Sequence, residues 1–219
     1  MKNSTINLPL AIFSLLVSTL LVISQARAVD YQQSEFQQAY QDYLQVSDGN
    51  GSARKVANAF DDLYQKDESD PLILVLLGSS HTMMGRDALM PWSKMRHTEK
   101  GLDEMALALR MLQPQNKTQL FQHMSVDLNV KTIVAISFTQ VPGFFGRQEE
   151  GYEIFQQVLA DPVFVALPGP AKTYVYYYAI EAAVALDNTD QAKQWLSDLR
   201  TLNISDEYTQ AALQLEPEL

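Results

Sequence analysis

From Asp30 onward, apolar residues recur at steps of three and four, the spacing of one face of a helix. Phe36, Tyr40, Tyr43 and Leu44 form the first stripe, and the Ser-Asp-Gly-Asn-Gly run at 47–51 ends it as a turn. Ser52 precedes a second stripe of Val56, Phe60 and Leu63, which stops in an acidic run before Pro71, a residue suited to the first turn of the next helix. These two helices are expected to pair as a hairpin. Pro71 to Met84 reads as a compact apolar helix, and Met95, Thr98, Leu102, Met105, Leu109 and Leu112 form the most regular stripe of the chain before Pro114 stops it.

The next segment, Thr118 to Val141, carries two signals at once. Phe121, Met124 and Leu128 step as a helix does, whereas Val130, Thr132, Val134, Ile136 and Phe138 alternate as a strand would. Helix is the expectation, because a lone strand in a helical chain leaves its backbone groups without partners. Pro142 to Gly146 breaks the pattern as a helix break with two buried aromatics, Phe144 and Phe145. Gln148 to Leu159 resumes it through Tyr152, Phe155 and Leu159, and Asp161 to Pro170 reads as an irregular loop. Helices at Thr173–Leu186, Asp190–Leu202 and Ser205–Leu215 bring the expected count to about nine, the last capped by Ser205 with Asp206 and Glu207 in its first turn. The fold class expected is all-α.

The N-terminus adds a compartment. Lys2, an apolar stretch from Leu8 to Ile23, and the small residues Ala26 and Ala28 make a secretory signal pattern with a cut after Ala28. The alternative is a retained anchor, but the stretch spans 16 residues, includes Pro9, Ser14, Ser18 and Thr19, and is short for a membrane span of roughly 20. Residues 29–219 then read as a single helical domain, exported to the periplasm or secreted, with no stable membrane span after cleavage.

Charge and composition narrow the function classes. The chain carries 16 Lys and Arg against 26 Asp and Glu, a formal charge of -10, and loses Lys2 and Arg27 with the leader. Such acidity argues against binding nucleic acid through its phosphate backbone. The absence of Cys removes disulfide scaffolds, thiol nucleophiles and thiolate metal sites.

A search for internal periods alters the picture. In the segment 182–199, Ala183 precedes a tight turn at Asp187 and Asn188, and Ala192, Leu196 and Leu199 follow on the second helix; this segment resembles a tetratricopeptide repeat. Leu77-Gly78 with Gly101, Met105, Ala108-Leu109 and Pro114 is similar to a second copy carrying an insertion, and Val56, Phe60, Leu63 and Gly151, Phe155, Val158, Pro162 are weaker echoes. The anchors Phe60, Met105, Phe155 and Leu196 lie 45, 50 and 41 residues apart, against roughly 34 for the standard unit, so the copies are degenerate. The resemblance implies an α-α superhelix of stacked hairpins whose first helices line a concave surface, used to bind peptides or proteins. No Lys and Asn pattern for a peptide-carboxylate clamp is recognisable at matching positions.

The residues that could carry binding chemistry cluster between 81 and 97. His81, Arg86, Trp92, Lys94 and Arg96 place cations and an aromatic ring together in an acidic chain, which suits an acidic peptide or small anion with Trp92 as anchor. The competing reading is an enlarged connection with Trp92 packed on the core and Arg86 paired to Asp87. Tyr174, Tyr176, Tyr177 and Tyr178 cover more than half of a helix circumference; Tyr174 and Tyr178, one turn apart on one face, are the pair expected to meet a groove or partner, unless the run packs on Trp195 and the 161–170 loop.

Signs of catalysis are weak. His81 and His97 are sixteen apart and His123 falls on another element, so the spacing carries no metal signature. Adjacent acids at Asp61-Asp62 and Glu149-Glu150 diverge by about 100° on a helix and read as solvated surface. Ser79 and Ser80 lack the turn of a hydrolase nucleophile, and residues 143–147 lack the Lys of a phosphate loop. The expectation is therefore no enzyme, no cofactor and no metal: an exported adaptor or scaffold that binds an envelope protein or peptide on a concave helical face. The alternative is a periplasmic protein that binds a small molecule or anion through the cationic segment 81–97.

Overall fold

The computed structural model describes residues 30–216, so the expected leader, its cut after Ala28 and any export signal lie outside the described residues. The fold is all-α, built from packed helical hairpins. Its helices are α1 (Ser34–Ser47), α2 (Ala53–Tyr64), α3 (Pro71–Asp87), α4 (Pro91–Met111), α5 (Val126–Gln140), α6 (Gln148–Ala160), α7 (Pro162–Val165), α8 (Thr173–Ala185), α9 (Thr189–Thr201) and α10 (Glu207–Gln214). The added member is the single turn α7, inside the stretch expected to be loop. It forms because Asp161 accepts the Val163 N–H and Phe164 is driven into the core.

Local chemistry starts the helices. Ser52 caps α2 by accepting the Lys55 N–H, and Asp70 caps α3 by accepting the Leu72 and Ile73 N–H groups ahead of Pro71. The other Asp70 oxygen accepts the buried Tyr31 hydroxyl at 2.9 Å, so this cap also ties the N-terminal end of the described chain to the core. For α10 the cap is Asp206 and not Ser205. Its carboxylate accepts the Thr209 N–H at 2.8 Å and the Thr173 hydroxyl at 2.6 Å, the second bond holding α10 against α8.

Successive helices pair as α1 with α2, α3 with α4, α5 with α6, and α8 with α9, and α10 covers α8. The first helices of these hairpins also touch in series, α1 with α3, α3 with α5, and α5 with α8. The α3–α4 pair is the most intimate. A Cβ on Gly101 would collide with the backbone of Gly78 and Thr82, and one on Gly85 with the Thr98 side chain, so these glycines let the two helices pack with almost no spacing.

The segment 118–141 does not form one helix. Leu120–Phe121 and Met124–Ser125 form a two-stranded antiparallel ribbon, β1 and β2, turned at Gln122 with φ 55°. Phe121 is buried edge-on against Phe36, Tyr40 and Tyr31, with centroids 5.5, 4.8 and 5.6 Å away. The Asn129 amide donates to the carbonyls of Phe121, Met124 and Ser125, which ties the ribbon to α5. From Val126 on the helix is as expected. Its strand-like alternation arises because α5 sits between α3, α4, α6 and α8, so buried positions occur on nearly every side.

A second correction concerns residues 142–146. Gly143–Phe145 is a single 3-10 turn closed by Gly146 in the left-handed region, but Phe144 is 72% exposed and Phe145 only half-buried. The two rings meet at 4.5 Å, tilted by 34°, with Phe145 packed against the edge of the core and Phe144 left outside it.

Candidate functional site

The first helices of four successive hairpins surround a cavity of about 780 Å³. Tyr43 and Ser47 of α1, Met83 of α3, Ile133 and Ile136 of α5 and Tyr178 of α8 line it, and the start of α4 and the 142–145 turn complete its wall. The volume lies in the range of pockets that hold one small molecule or a few side chains. Its buried floor includes Tyr43, Ser79, Thr98 and Val141. The polar pair in that floor is already satisfied, with the Tyr43 hydroxyl and Ser79 Oγ 3.0 Å apart.

Charge in the wall is one-sided. Arg86 and Lys94 belong to the lining and no Asp or Glu does, in a chain with ten more acids than bases. Arg86 closes the last turn of α3, where its guanidinium donates to Asp87 at 2.7 Å and to the Val46 carbonyl at 3.0 Å. Lys94 stands in the first turn of α4 and donates to the Arg86 carbonyl at 3.1 Å, with no ion pair among the described residues. Burial pushes the hydroxyls of Tyr43 and Tyr178 up to about 12, so both remain neutral and add no negative charge near neutral pH.

The sequence candidates divide among three places. Arg86, Lys94 and Tyr178 come together in the cavity wall. His81 lies beneath it, 7% exposed, between α3 and α4: its Nδ1 is 2.6 Å from Glu104 and its Nε2 is 3.2 Å from Lys100 Nζ. A lysine ammonium only donates, so Nε2 accepts, the proton sits on Nδ1 and points at Glu104, and the ring is a structural tie. Trp92 and Arg96 lie outside the cavity. Trp92 is 68% exposed, which overturns its expected packing on the core, and like Leu89 and Met90 it is an exposed apolar residue at the α3–α4 turn, whereas Met95 belongs to the cavity wall. The cationic segment therefore does not form one pocket.

Tyr174 is also absent from the cavity wall; it packs on Tyr208 of α10 at 6.0 Å, as Tyr177 and Tyr178 do from other angles. Tyr176 turns away onto Phe164 of α7 at 5.9 Å, and Trp195 is covered by Tyr152 of α6 at 5.7 Å. A second, shallower cleft of about 460 Å³ lies beside the tip, lined by Arg54, Asp87, Met90 and His97. His97 is held below the usual histidine range, first by burial and then by the nearby charges of Arg96 and Arg54.

What sequence reasoning missed is the apolar wall itself, above all Ile133 and Ile136 of α5 and Phe145 of the following turn. The available signal was a helix apolar on nearly all sides that nonetheless carries Ser137 and Gln140 one turn from these isoleucines. Among the described residues, no three His, Asp or Glu side chains gather where a metal could bind, and no helix is long and apolar enough to cross a membrane. Ser80 donates to the Leu76 carbonyl and Asp61 accepts from Gln65, so both serve local structure. No protein-family model, curated protein or solved structure matches this chain.

Proposed function

We propose that the protein is a non-catalytic binding protein, an exported adaptor of tetratricopeptide-like build that holds its ligand on a concave helical face. The observation that carries this reading is the cavity where the first helices α1, α3, α5 and α8 meet, the face such a superhelix would present. The pairing of hairpins and the close Gly78–Gly101 approach fit a build of stacked helical hairpins. A lining rich in Ile, Met, Phe and Tyr favours a ligand with an apolar body over a strongly polar one.

Ser137 faces the cavity from α5 and is half-buried. Ser137→Trp therefore fills the space without removing core contacts. The environment-sensitive apolar dye 1-anilinonaphthalene-8-sulfonate is expected to bind the wild type saturably at one site, and the folded variant to lose that binding at least tenfold. Equal dye binding by a variant with a native melting curve would overturn the cavity as the binding face.

The exposed tip of Leu89, Met90 and Trp92 favours a second reading, in which an envelope protein docks there. Crosslinked capture from the envelope fraction separates the two. Loss of a specific partner in the Trp92→Ala, Arg96→Ala variant but not in Ser137→Trp would place docking at the tip; the reverse would place it in the cavity.

A further inference from the structure

We infer that the cavity is a site for a single-chain amphiphile with a terminal carboxylate, a free fatty acid, its chain among α1, α3 and α5 and its carboxylate at Lys94 and Arg86. The inference rests on the cavity being the binding face and goes beyond it by naming the ligand's chemistry.

Three features of the wall lead there. First, it is graded: the floor around Tyr43, Ser79 and Thr98 is buried, whereas Arg86 and Lys94 are exposed at the rim. A ligand that fits such a gradient has an apolar body and a charged end. Second, the charges within the lining favour a negative end: Arg86 and Lys94 are positive and Tyr43 and Tyr178 stay neutral, while the acids nearby, Asp87 on Arg86 and Glu181 on Gln140, are not part of the lining. Third, the cations are not equally committed. Arg86 already has Asp87, in a pair where each side chain is 46% exposed, whereas Lys94 touches only a backbone carbonyl and keeps two N–H donors free for a carboxylate. Lys94 is therefore the principal anchor and Arg86 the secondary one. The satisfied Tyr43–Ser79 pair demands nothing polar from the chain end that reaches it. The lining holds no carboxylate to meet the cationic part of a zwitterionic head group.

The test is calorimetric titration of the processed protein with dodecanoate, dodecan-1-ol, dodecylamine and decanoate, each below its micelle concentration or, for the alcohol, its solubility limit. Dodecanoate is expected to bind one to one and about tenfold or more tighter than dodecanol, the gain of a charge-assisted hydrogen bond at a partly exposed site. Dodecylamine is expected to bind weakest. Decanoate should bind roughly 15-fold more weakly than dodecanoate, at about fourfold per buried methylene. Lys94→Gln should remove most of that preference and Lys94→Gln with Arg86→Gln should bring dodecanoate down to the affinity of dodecanol, while Lys193→Gln on α9 leaves it as in wild type. Equal binding of dodecanoate and dodecanol, or a carboxylate preference that survives Lys94→Gln and Arg86→Gln together, overturns the inference but leaves the cavity as a binding face. Binding of a lauroylated peptide without binding of dodecanoate overturns it in favour of an acylated partner. Failure of every chain to bind, together with unchanged dye binding by Ser137→Trp, overturns both readings.

Discussion

His97 shows how single residues report the field of their surroundings. It stands on α4 with Arg96 beside it and Arg54 and Lys100 near, so its protonated form is disfavoured by burial and by like charge. Its folded-state value is lower than its ordinary 6.5, so below about pH 6.5 the unfolded chain binds a proton that the native chain resists. The contribution of His97 to stability is thus complete above that pH and declines as pH falls through it. Urea midpoints measured at pH 7.5 and 5.5 are expected to drop for the wild type and to drop by less for His97→Gln. An equal fall in both proteins would mean that the cations around His97 are too well solvated to act on it. Asp70 acts in the opposite direction, because burial raises its carboxyl and the native state holds that proton longer than the unfolded chain. Asp70 is common to both proteins, so the difference between their two falls isolates His97.

At the scale of elements, the α3–α4 hairpin positions the site, because Arg86 ends one helix and Lys94 starts the other. Its geometry depends on contact of backbones through Gly78, Gly85 and Gly101. Gly101→Ala would force a Cβ into the Gly78 carbonyl and is expected to cost about 1–3 kcal/mol by overpacking, read as a lower urea midpoint at unchanged m-value. Glu99→Ala, exposed on the same helix, should stay within about 0.5 kcal/mol of wild type. Should the two variants prove equally stable, the approach of α3 to α4 is looser than described. The sequence made the stripe of α4 plain, because that helix has one buried face and one wet one, whereas α3 is buried on every side from Pro71 to His81. It could not show the glycine contact, since a glycine in a helical pattern reads as a weak position until a neighbour is placed against it. The same limit explains α5 and the ribbon before it. A helix covered on nearly every side loses the period of 3.6, and the two short strands are dictated by Phe121 finding Phe36 and Tyr40, far apart in the chain.

For the whole molecule, the site is a property of assembly: its wall draws on four hairpins, and no single segment carries enough of it to be read in advance. Sequence reasoning placed Arg86, Lys94 and Tyr178 among the candidates because charge and aromaticity are visible residue by residue. It grouped Trp92 and Arg96 with them because proximity in sequence was the available proxy for proximity in space, and α4 turns those two side chains outward. An origin in assembly has a measurable consequence. A ligand seated among α1, α3, α5 and α8 binds the native arrangement and not the unfolded chain, so at a hundredfold excess over its Kd it should add about 2.7 kcal/mol to global stability. Hydrogen exchange with and without dodecanoate is expected to show added protection in residues 34–47, 71–98 and 126–145 together, even though these are separate in sequence, and least change in α9. Protection confined to one hairpin would mean that the ligand sits on a single element and that the cavity between hairpins is not what recognises it.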